Sequence, residues 1–115
     1  MSERSWVKEL AGAITVCDTE GTILEMNDKA REMFSKQGGS RLIGSNVLDC
    51  HPEPAKAKLK SLLEERRENV YTTEKNGLKK LICQMPWYRD GEFSGIVEVS
   101  LEIPKNMPHF LRSDS

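Results

Sequence analysis

The sequence lacks the marks of a membrane protein and of a nucleic-acid-binding protein. No apolar run approaches the roughly 18 residues that a membrane-spanning helix needs, and the N-terminus has no apolar block of the signal-peptide kind. With 17 basic and 18 acidic residues, the formal net charge is −1, so the basic excess typical of nucleic-acid-binding proteins is missing. We therefore expect no membrane or nucleic-acid partner and a cytoplasmic location.

Cysteine and histidine are also scarce. The three cysteines, Cys17, Cys50 and Cys83, are far apart, and their odd number favours reduced thiols over a disulfide scaffold. Cys50 and His51 offer two adjacent metal ligands, but no second close pair completes a zinc site. With only two histidines, no Ser-His-Asp set can be proposed. Gly38-Gly39 lacks the Gly-Lys-Ser/Thr that completes a phosphate-binding loop.

The clearest periodic signal lies near the C-terminal end. Between Phe93 and Ile103, apolar residues and one glycine occupy every second position, which predicts a long strand with one apolar face. The run from Leu78 to Tyr88 predicts a strand with Leu81, Cys83, Met85 and Trp87 on one face. Asp90-Gly91 between the two runs is a strong hairpin signal. We expect the rest of the chain to cover the apolar face of this hairpin, leaving Glu98 and Glu102 on a solvated face.

Local patterns place the other elements. They predict a helix over 2–11, strands over 13–18 and 22–26, a helix over 28–35 capped by Asn27, a loose loop over 35–46, the main helix over 52–67 and a strand over 69–75. The length of 115 residues fits one domain. We expect a flanking helix in 1–12, the domain itself in 13–103 and a mostly disordered tail in 104–115. The simplest fold for these elements is an α+β fold, in which helices cover one face of a five-stranded antiparallel sheet.

An ordered series of short motifs resembles the PAS domain family over about residues 13–103. The matching pieces are Asp18-x-x-Gly21-x-Ile23, Asn27 opening a helix with Ala30 and Phe34, Leu42-Ile43-Gly44, Asp49-Cys50-His51-Pro52, the Asp90-Gly91 hairpin and Gly95 to Ile103. The resemblance implies a PAS-like sheet in the order 2-1-5-4-3. The Asp-Cys-His-Pro piece is similar to a bacterial subgroup with an Asn/Asp-Cys-His-Pro motif. The chain departs from the family's usual closing Asp-Ile-Thr, because Glu102-Ile103-Pro104 stands there.

The resemblance implies a sensory or regulatory module that is not catalytic by itself. Such a module binds a small ligand or cofactor in its core and relays the state to a partner domain or protein. A second interpretation is an interaction module with a filled core, which forms a homodimer through Trp6, Val7, Leu10 and the sheet face. A third is a thiol or haem redox sensor.

Candidate ligand-binding residues follow from the predicted apolar faces and from the motif before the main helix. They are Met26, Met33, Phe34, Cys50, His51, Leu59, Leu63, Cys83, Met85, Trp87, Val97 and Val99. The alternative is that the apolar members fill the core solidly. His51 is a candidate axial ligand for haem, and a thiol near a helix N-terminus, such as that of Cys50, is more readily oxidised. The ligand itself cannot be named from the sequence.

Overall fold

Five strands form one antiparallel sheet in this computed structural model, which describes residues 5–49 and 51–113. The elements in chain order are α1 (Ser5–Lys8), β1 (Ala13–Cys17), β2 (Ile23–Met26), α2 (Asp28–Met33), two short 3-10 turns (Ser35–Gln37 and Gly39–Leu42), α3 (Ala55–Glu65), β3 (Asn69–Lys75), β4 (Leu78–Arg89) and β5 (Glu92–Ile103). The strand order is β2-β1-β5-β4-β3. The α+β fold and the strand order expected from the sequence are therefore confirmed.

The helices α2 and α3 are shorter than the sequence pattern predicts, and α1 ends at Lys8 and not at residue 11. The main helix begins at Ala55 and not at Pro52, because a second proline at position 54 disfavours a helical conformation for Glu53. It ends where Arg66 adopts a left-handed conformation with φ of 56°. Between 104 and 113 there is no helix or strand. No helix in the described part of the chain is both long and apolar enough to cross a membrane.

Two groups of buried apolar side chains hold the helices against the sheet. The group under α3 consists of Cys17, Leu59, Leu62, Leu63 and Ile96, and the group under α2 consists of Ala13, Ile23, Met26 and Ala30. Leu62 and Met26 are fully buried, and burial of a side chain of that size contributes about 1.5–3 kcal/mol. The core therefore lies on one face of the sheet.

A bulge in β5 changes which side chains face this core. Trp87 pairs with Gly95 but the next residue, Tyr88, pairs with Phe93, so β5 has one extra residue at this point. Gly95 has φ of 138°, and a Cβ there would collide with the carbonyl oxygen of Cys17, so the position requires glycine. An extra residue moves every side chain beyond it to the opposite face of the sheet.

The prediction that the alternating apolar residues of β5 face the core is therefore wrong beyond the bulge. Phe93 packs against the core as predicted, but Ile96 and Glu98 line the space beneath α3. Since neighbouring residues on a strand alternate between faces, Val97 and Val99 lie on the outer face, turned away from α3. The outer face continues across the paired strands through Cys83, Met85, Ile14 and Val16.

Candidate functional site

A small cavity lies between the inner face of the sheet and α3. Its volume is about 50 Å³. The lining residues come from β1, β4, β5, α3 and the segment before α3; they are Thr15, Cys17, Phe34, Val47, His51, Leu59, Gln84, Ile96 and Glu98. One water molecule needs roughly 10–15 Å³ measured in this way, so the cavity has room for a few non-hydrogen atoms.

An open groove of about 730 Å³ adjoins the cavity. The groove runs between α3 and β3, and it shares His51, Leu59 and Gln84 with the cavity lining. Tyr71 and Lys58 lie farther along it. Pockets for drug-sized ligands usually occupy about 300–1,000 Å³, so a molecule of ordinary size would fit with a small group in the cavity and the rest in the groove.

A row of polar side chains crosses the floor of the cavity. Asn69, Gln84 and Glu98 lie opposite one another on β3, β4 and β5. Asn69 Nδ2 donates to Gln84 Oε1 at 2.9 Å, and Gln84 Nε2 donates to Glu98 Oε1 at 2.8 Å. Because an ionised carboxylate only accepts hydrogen bonds, it fixes the orientation of the Gln84 amide. The oxygen and the nitrogen of the Gln84 amide therefore each have one partner within the row, and the residue is 5% exposed.

His51 also lines this space, where the cavity meets the groove. Its Nδ1 lies 2.7 Å from the carbonyl oxygen of Val47. A carbonyl cannot donate, so Nδ1 must carry the proton and donate it. In the neutral ring Nε2 is then a hydrogen-bond acceptor. The sequence suggested His51 for its ligand chemistry, and the structure places its ring at the junction of cavity and groove.

Two acidic groups near the row stay protonated at neutral pH. Burial raises the pKa of the Cys17 thiol above its ordinary value of 9.0, and the nearby Asp18 and Glu98 carboxylates raise it further. Burial, followed by the charge of Glu98, also raises the pKa of the Tyr71 phenol. Glu98 is the one aspartate, glutamate, lysine or arginine among the described residues that line the cavity.

The predicted ligand-binding residues divide into three groups. Phe34, His51 and Leu59 line the cavity, while Leu63 lies in the adjoining core and Met26 and Met33 lie in the group beneath α2. The outer face of the sheet holds Cys83, Met85, Trp87, Val97 and Val99, so these five do not reach the cavity. Cys50 lies outside the described residues.

The sequence prediction missed six of the residues that line the cavity: Thr15, Cys17, Val47, Gln84, Ile96 and Glu98. Glu98 was assigned to a solvated face because its neighbours Val97 and Val99 belong to the apolar alternation. The available signal was Gly95, since a glycine inside a strand often marks a bulge. A bulge at Gly95 would have placed Ile96, Glu98 and Ser100 on the inner face.

A haem does not fit the cavity. The Nε2 atom of His51 has the chemistry of an axial haem ligand, but a haem is at least as large as the ligands that need pockets of about 300–1,000 Å³. The cavity of about 50 Å³ is far below that range. Within residues 5–49 and 51–113, no group of three or more histidine, cysteine, aspartate or glutamate side chains is arranged to hold a metal ion.

A second feature of the molecule is an apolar surface on the outer face of the sheet. Val70 is 55% exposed and Leu101 is 43% exposed, and they flank the half-buried Cys83 and Val99. Trp6, in α1, is 68% exposed. The largest apolar patch on a monomeric protein is often functional, so this face is a candidate contact surface.

Comparison with protein families gives one match. The family described as PAS fold matches residues 4–84. No curated protein matches the sequence.

Solved structures share the fold at low sequence identity. The PAS domain of BvgS from Bordetella pertussis aligns with a TM-score of 0.67 and 18% identity over 90% of this chain and 85% of that chain. The Aer2 receptor from Vibrio cholerae, described as a dual PAS-heme oxygen sensor, aligns with a TM-score of 0.62 and 17% identity over 82% of this chain and 96% of that chain. A sensory box sensor histidine kinase from Vibrio cholerae aligns with a TM-score of 0.61 and 16% identity over 90% of each chain.

Proposed function

The chain belongs to the PAS family, and from that premise we propose that it is a non-catalytic sensory module that binds a small molecule between the sheet and α3. Occupancy of the cavity is then relayed to a partner protein or domain. Relatives described as a sensor histidine kinase and an oxygen sensor support the sensory role. The observation that carries the proposal is the row Asn69–Gln84–Glu98, which ends in a carboxylate facing a cavity.

The energetics of this row favour a ligand-binding role over a packing role. The half-buried Glu98 carboxylate loses part of its hydration at this position, and apolar residues of similar volume are often neutral or stabilising in place of a charge removed from water. Ile82 and Ile96 show that the inner face accepts large apolar side chains. Glu98 therefore has a role that does not depend on packing, and contact with a ligand supplies one.

The proposed relay runs through β5. This central strand pairs with β1 on one side and β4 on the other. Glu98 faces the cavity, while its neighbours Val97 and Val99 lie on the exposed outer face. A ligand that shifts Glu98 therefore also shifts the residues of a surface to which a partner can bind.

Binding can be tested by closing the cavity. Thr15→Leu on the inner face of β1 should fill it, whereas Thr72→Leu on the exposed face of β3 is a matched control. Native mass spectrometry of the freshly purified protein and a fragment screen by ¹H–¹⁵N NMR would detect a ligand. We expect bound mass or shifts of cavity residues in the parent and in Thr72→Leu, and their loss in Thr15→Leu. Binding that survives in a folded Thr15→Leu variant contradicts the proposal.

A second candidate function is homodimerisation through the outer face, together with Trp6, Val7 and Leu10. The exposed apolar surface around Val70 and Leu101 favours it. A charge introduced on the outer face, Val99→Lys, should convert a dimer to a monomer in analytical ultracentrifugation. Thr73→Lys, which lies on the other face of β3, is the control. A parent protein that sediments as a monomer would remove this candidate.

A further inference from the structure

We infer that the group recognised in the cavity is a small hydrogen-bond-donating cation, of the ammonium, amidinium or guanidinium type, which pairs with the Glu98 carboxylate. The inference rests on the proposed ligand-binding function and adds the chemical class of the ligand. It follows from the polar atoms that line the cavity, where the Glu98 carboxylate and His51 Nε2 have unused acceptor positions and the carboxylate carries a negative charge.

Each amide nitrogen in the row donates one of its two N–H groups within the row. Gln84 Nε2 donates to Glu98, and Asn69 Nδ2 donates to Gln84. Gln84 Oε1, which accepts the bond from Asn69, points along the row towards β3. These bonds fix the direction of the whole row, because each donated N–H points towards the carboxylate end. The row therefore offers an incoming molecule the negatively charged carboxylate, beside the second N–H of the Gln84 amide.

The two remaining polar groups of the lining act as acceptors. Among the described residues, Gln84 supplies the one hydrogen bond to the Glu98 side chain, although a carboxylate has about four acceptor positions. His51 uses its Nδ1 proton on Val47, which leaves Nε2 as an acceptor. The Thr15 hydroxyl and, more weakly, the Cys17 thiol can act as either donor or acceptor. A ligand that supplies N–H groups satisfies these atoms, whereas a carboxylate ligand would meet the negative charge of Glu98.

The dimensions of the site limit the recognised group to a small one. A cavity of about 50 Å³ holds a few non-hydrogen atoms, which is enough for an amidinium or alkylammonium head group. The cations of the neighbouring groove lie outside the cavity lining: Lys58 and Arg67 line only the groove, and Arg67 is paired with Glu65 at its Nε atom. A larger ligand would extend into that groove.

Three probes with the same number of non-hydrogen atoms separate the effect of the ligand's charge from that of its hydrogen-bond donors. Propionamidinium carries donors and a positive charge, propionamide carries donors without charge, and propionate carries neither. Each is titrated into the ¹⁵N-labelled protein at constant ionic strength, with the Gln84 side-chain amide and the backbone of Ile96 as reporters. We expect propionamidinium to bind more tightly than propionate by about tenfold or more, with propionamide between them, because hydrogen bonds to charged groups are the strongest.

The decisive variant is Glu98→Gln, which preserves shape and removes the charge. Its matched control is Glu102→Gln, four residues farther along β5 and outside the cavity lining. We expect Glu98→Gln to abolish the preference for propionamidinium and Glu102→Gln to leave it unchanged. The inference is overturned if propionate binds at the cavity residues as tightly as propionamidinium, or if the preference persists in Glu98→Gln. Either result would leave the ligand-binding function intact. If no probe or screened fragment shifts the cavity residues, both the inference and the proposed function fail.

Discussion

Two buried side-chain amides in this protein have opposite hydrogen-bonding environments. Asn27 is 0% exposed, and its side-chain amide makes all four of its hydrogen bonds. Its Nδ2 donates to the carbonyls of Val7 and Gly12, and its Oδ1 accepts from the backbone amides of Ile14 and Ala30. Asn27 thereby ties the N-terminal segment, β1 and α2 together. Every partner is a backbone group, so this amide is part of the fold.

Gln84 is also buried, but the partners of its amide are side chains. One of them, Glu98, has unused acceptor positions that face a cavity. A saturated network stabilises a structure, whereas a partly satisfied one lowers stability unless something else completes it. The difference between the two amides indicates that the first was retained for folding and the second for binding.

The largest loss of stability is expected from removing the Asn27 amide, whose hydrogen bonds are all made to the backbone. Asn27→Ala removes the cap of α2 and leaves buried backbone groups of Val7, Gly12 and Ile14 without their side-chain partner, so it should lower the free energy of unfolding by about 3 kcal/mol. Urea denaturation measures this loss. Asn106→Ala, in the exposed tail, is the control and should change the midpoint little. An Asn27→Ala variant as stable as that control would refute the structural role.

Removal of the row Asn69–Gln84–Glu98 should change the free energy of unfolding less, and in the opposite direction. The double variant Gln84→Leu/Glu98→Leu replaces the row with apolar side chains, and such replacements are often neutral or stabilising by about 1–4 kcal/mol. We expect the variant to unfold at the same urea concentration as the parent or at a higher one, but to lose ligand binding. A loss of stability comparable to that of Asn27→Ala would show that the row is a structural element.

A third prediction concerns the reactivity of the Cys17 thiol, which lines the cavity beside Gln84 and Glu98. A raised pKa means that less of Cys17 is thiolate at a mildly alkaline pH, so in a Cys50→Ser background it should react with iodoacetamide more slowly than the half-buried Cys83. Mass spectrometry of peptides from the folded protein measures both rates. Because Glu98 contributes to the raised pKa, Glu98→Gln should accelerate the reaction of Cys17 slightly. Faster labelling of Cys17 than of Cys83 would argue that the pocket opens.

The stability contribution of the same thiol has a definite sign. The folded pKa lies above the unfolded one, so the contribution is fully present below the ordinary value of 9.0 and is lost as the pH rises through the folded pKa. In the same Cys50→Ser background, Cys17→Ala should therefore lose less stability than its parent between neutral and strongly alkaline pH. Urea midpoints across that range test this, and parallel losses in the two proteins would contradict it.

The sequence was sufficient to locate the strands of the sheet, but not to assign the residues of each strand to its two faces. Turn residues such as Asp90-Gly91 and the cap Asn27 are local signals, and they located the strands and α2 correctly. The face that each residue occupies on β5 depends on a single extra residue beside Gly95. Periodicity is counted along the strand, so one bulge reverses every assignment beyond it. Val97 and Val99 were placed on the wrong side of the sheet for this reason. Cys83, Met85 and Trp87 lie on β4, where the apolar alternation is unbroken but faces outward.

Part of the site was accessible to sequence reasoning and part was not. His51 stands out by its chemistry and by its position before the main helix, and it lines the cavity. The bond between Gln84 and Glu98 joins residues of two strands, and it depends on a register that the sequence does not specify. Polar residues between apolar ones are normally solvent-facing, so an inward-facing polar row contradicts the usual pattern.

The most direct test of an acceptor-lined cavity is the tautomer of His51. A long-range ¹H–¹⁵N NMR spectrum of the imidazole, recorded at a pH where the ring is neutral, distinguishes the protonated from the unprotonated nitrogen. We predict that Nδ1 carries the proton, that Nε2 is unprotonated, and that the Nε2 resonance moves when propionamidinium is added. A proton on Nε2 would make His51 a donor into the cavity, and it would contradict the assignment of the site to a hydrogen-bond-donating cation.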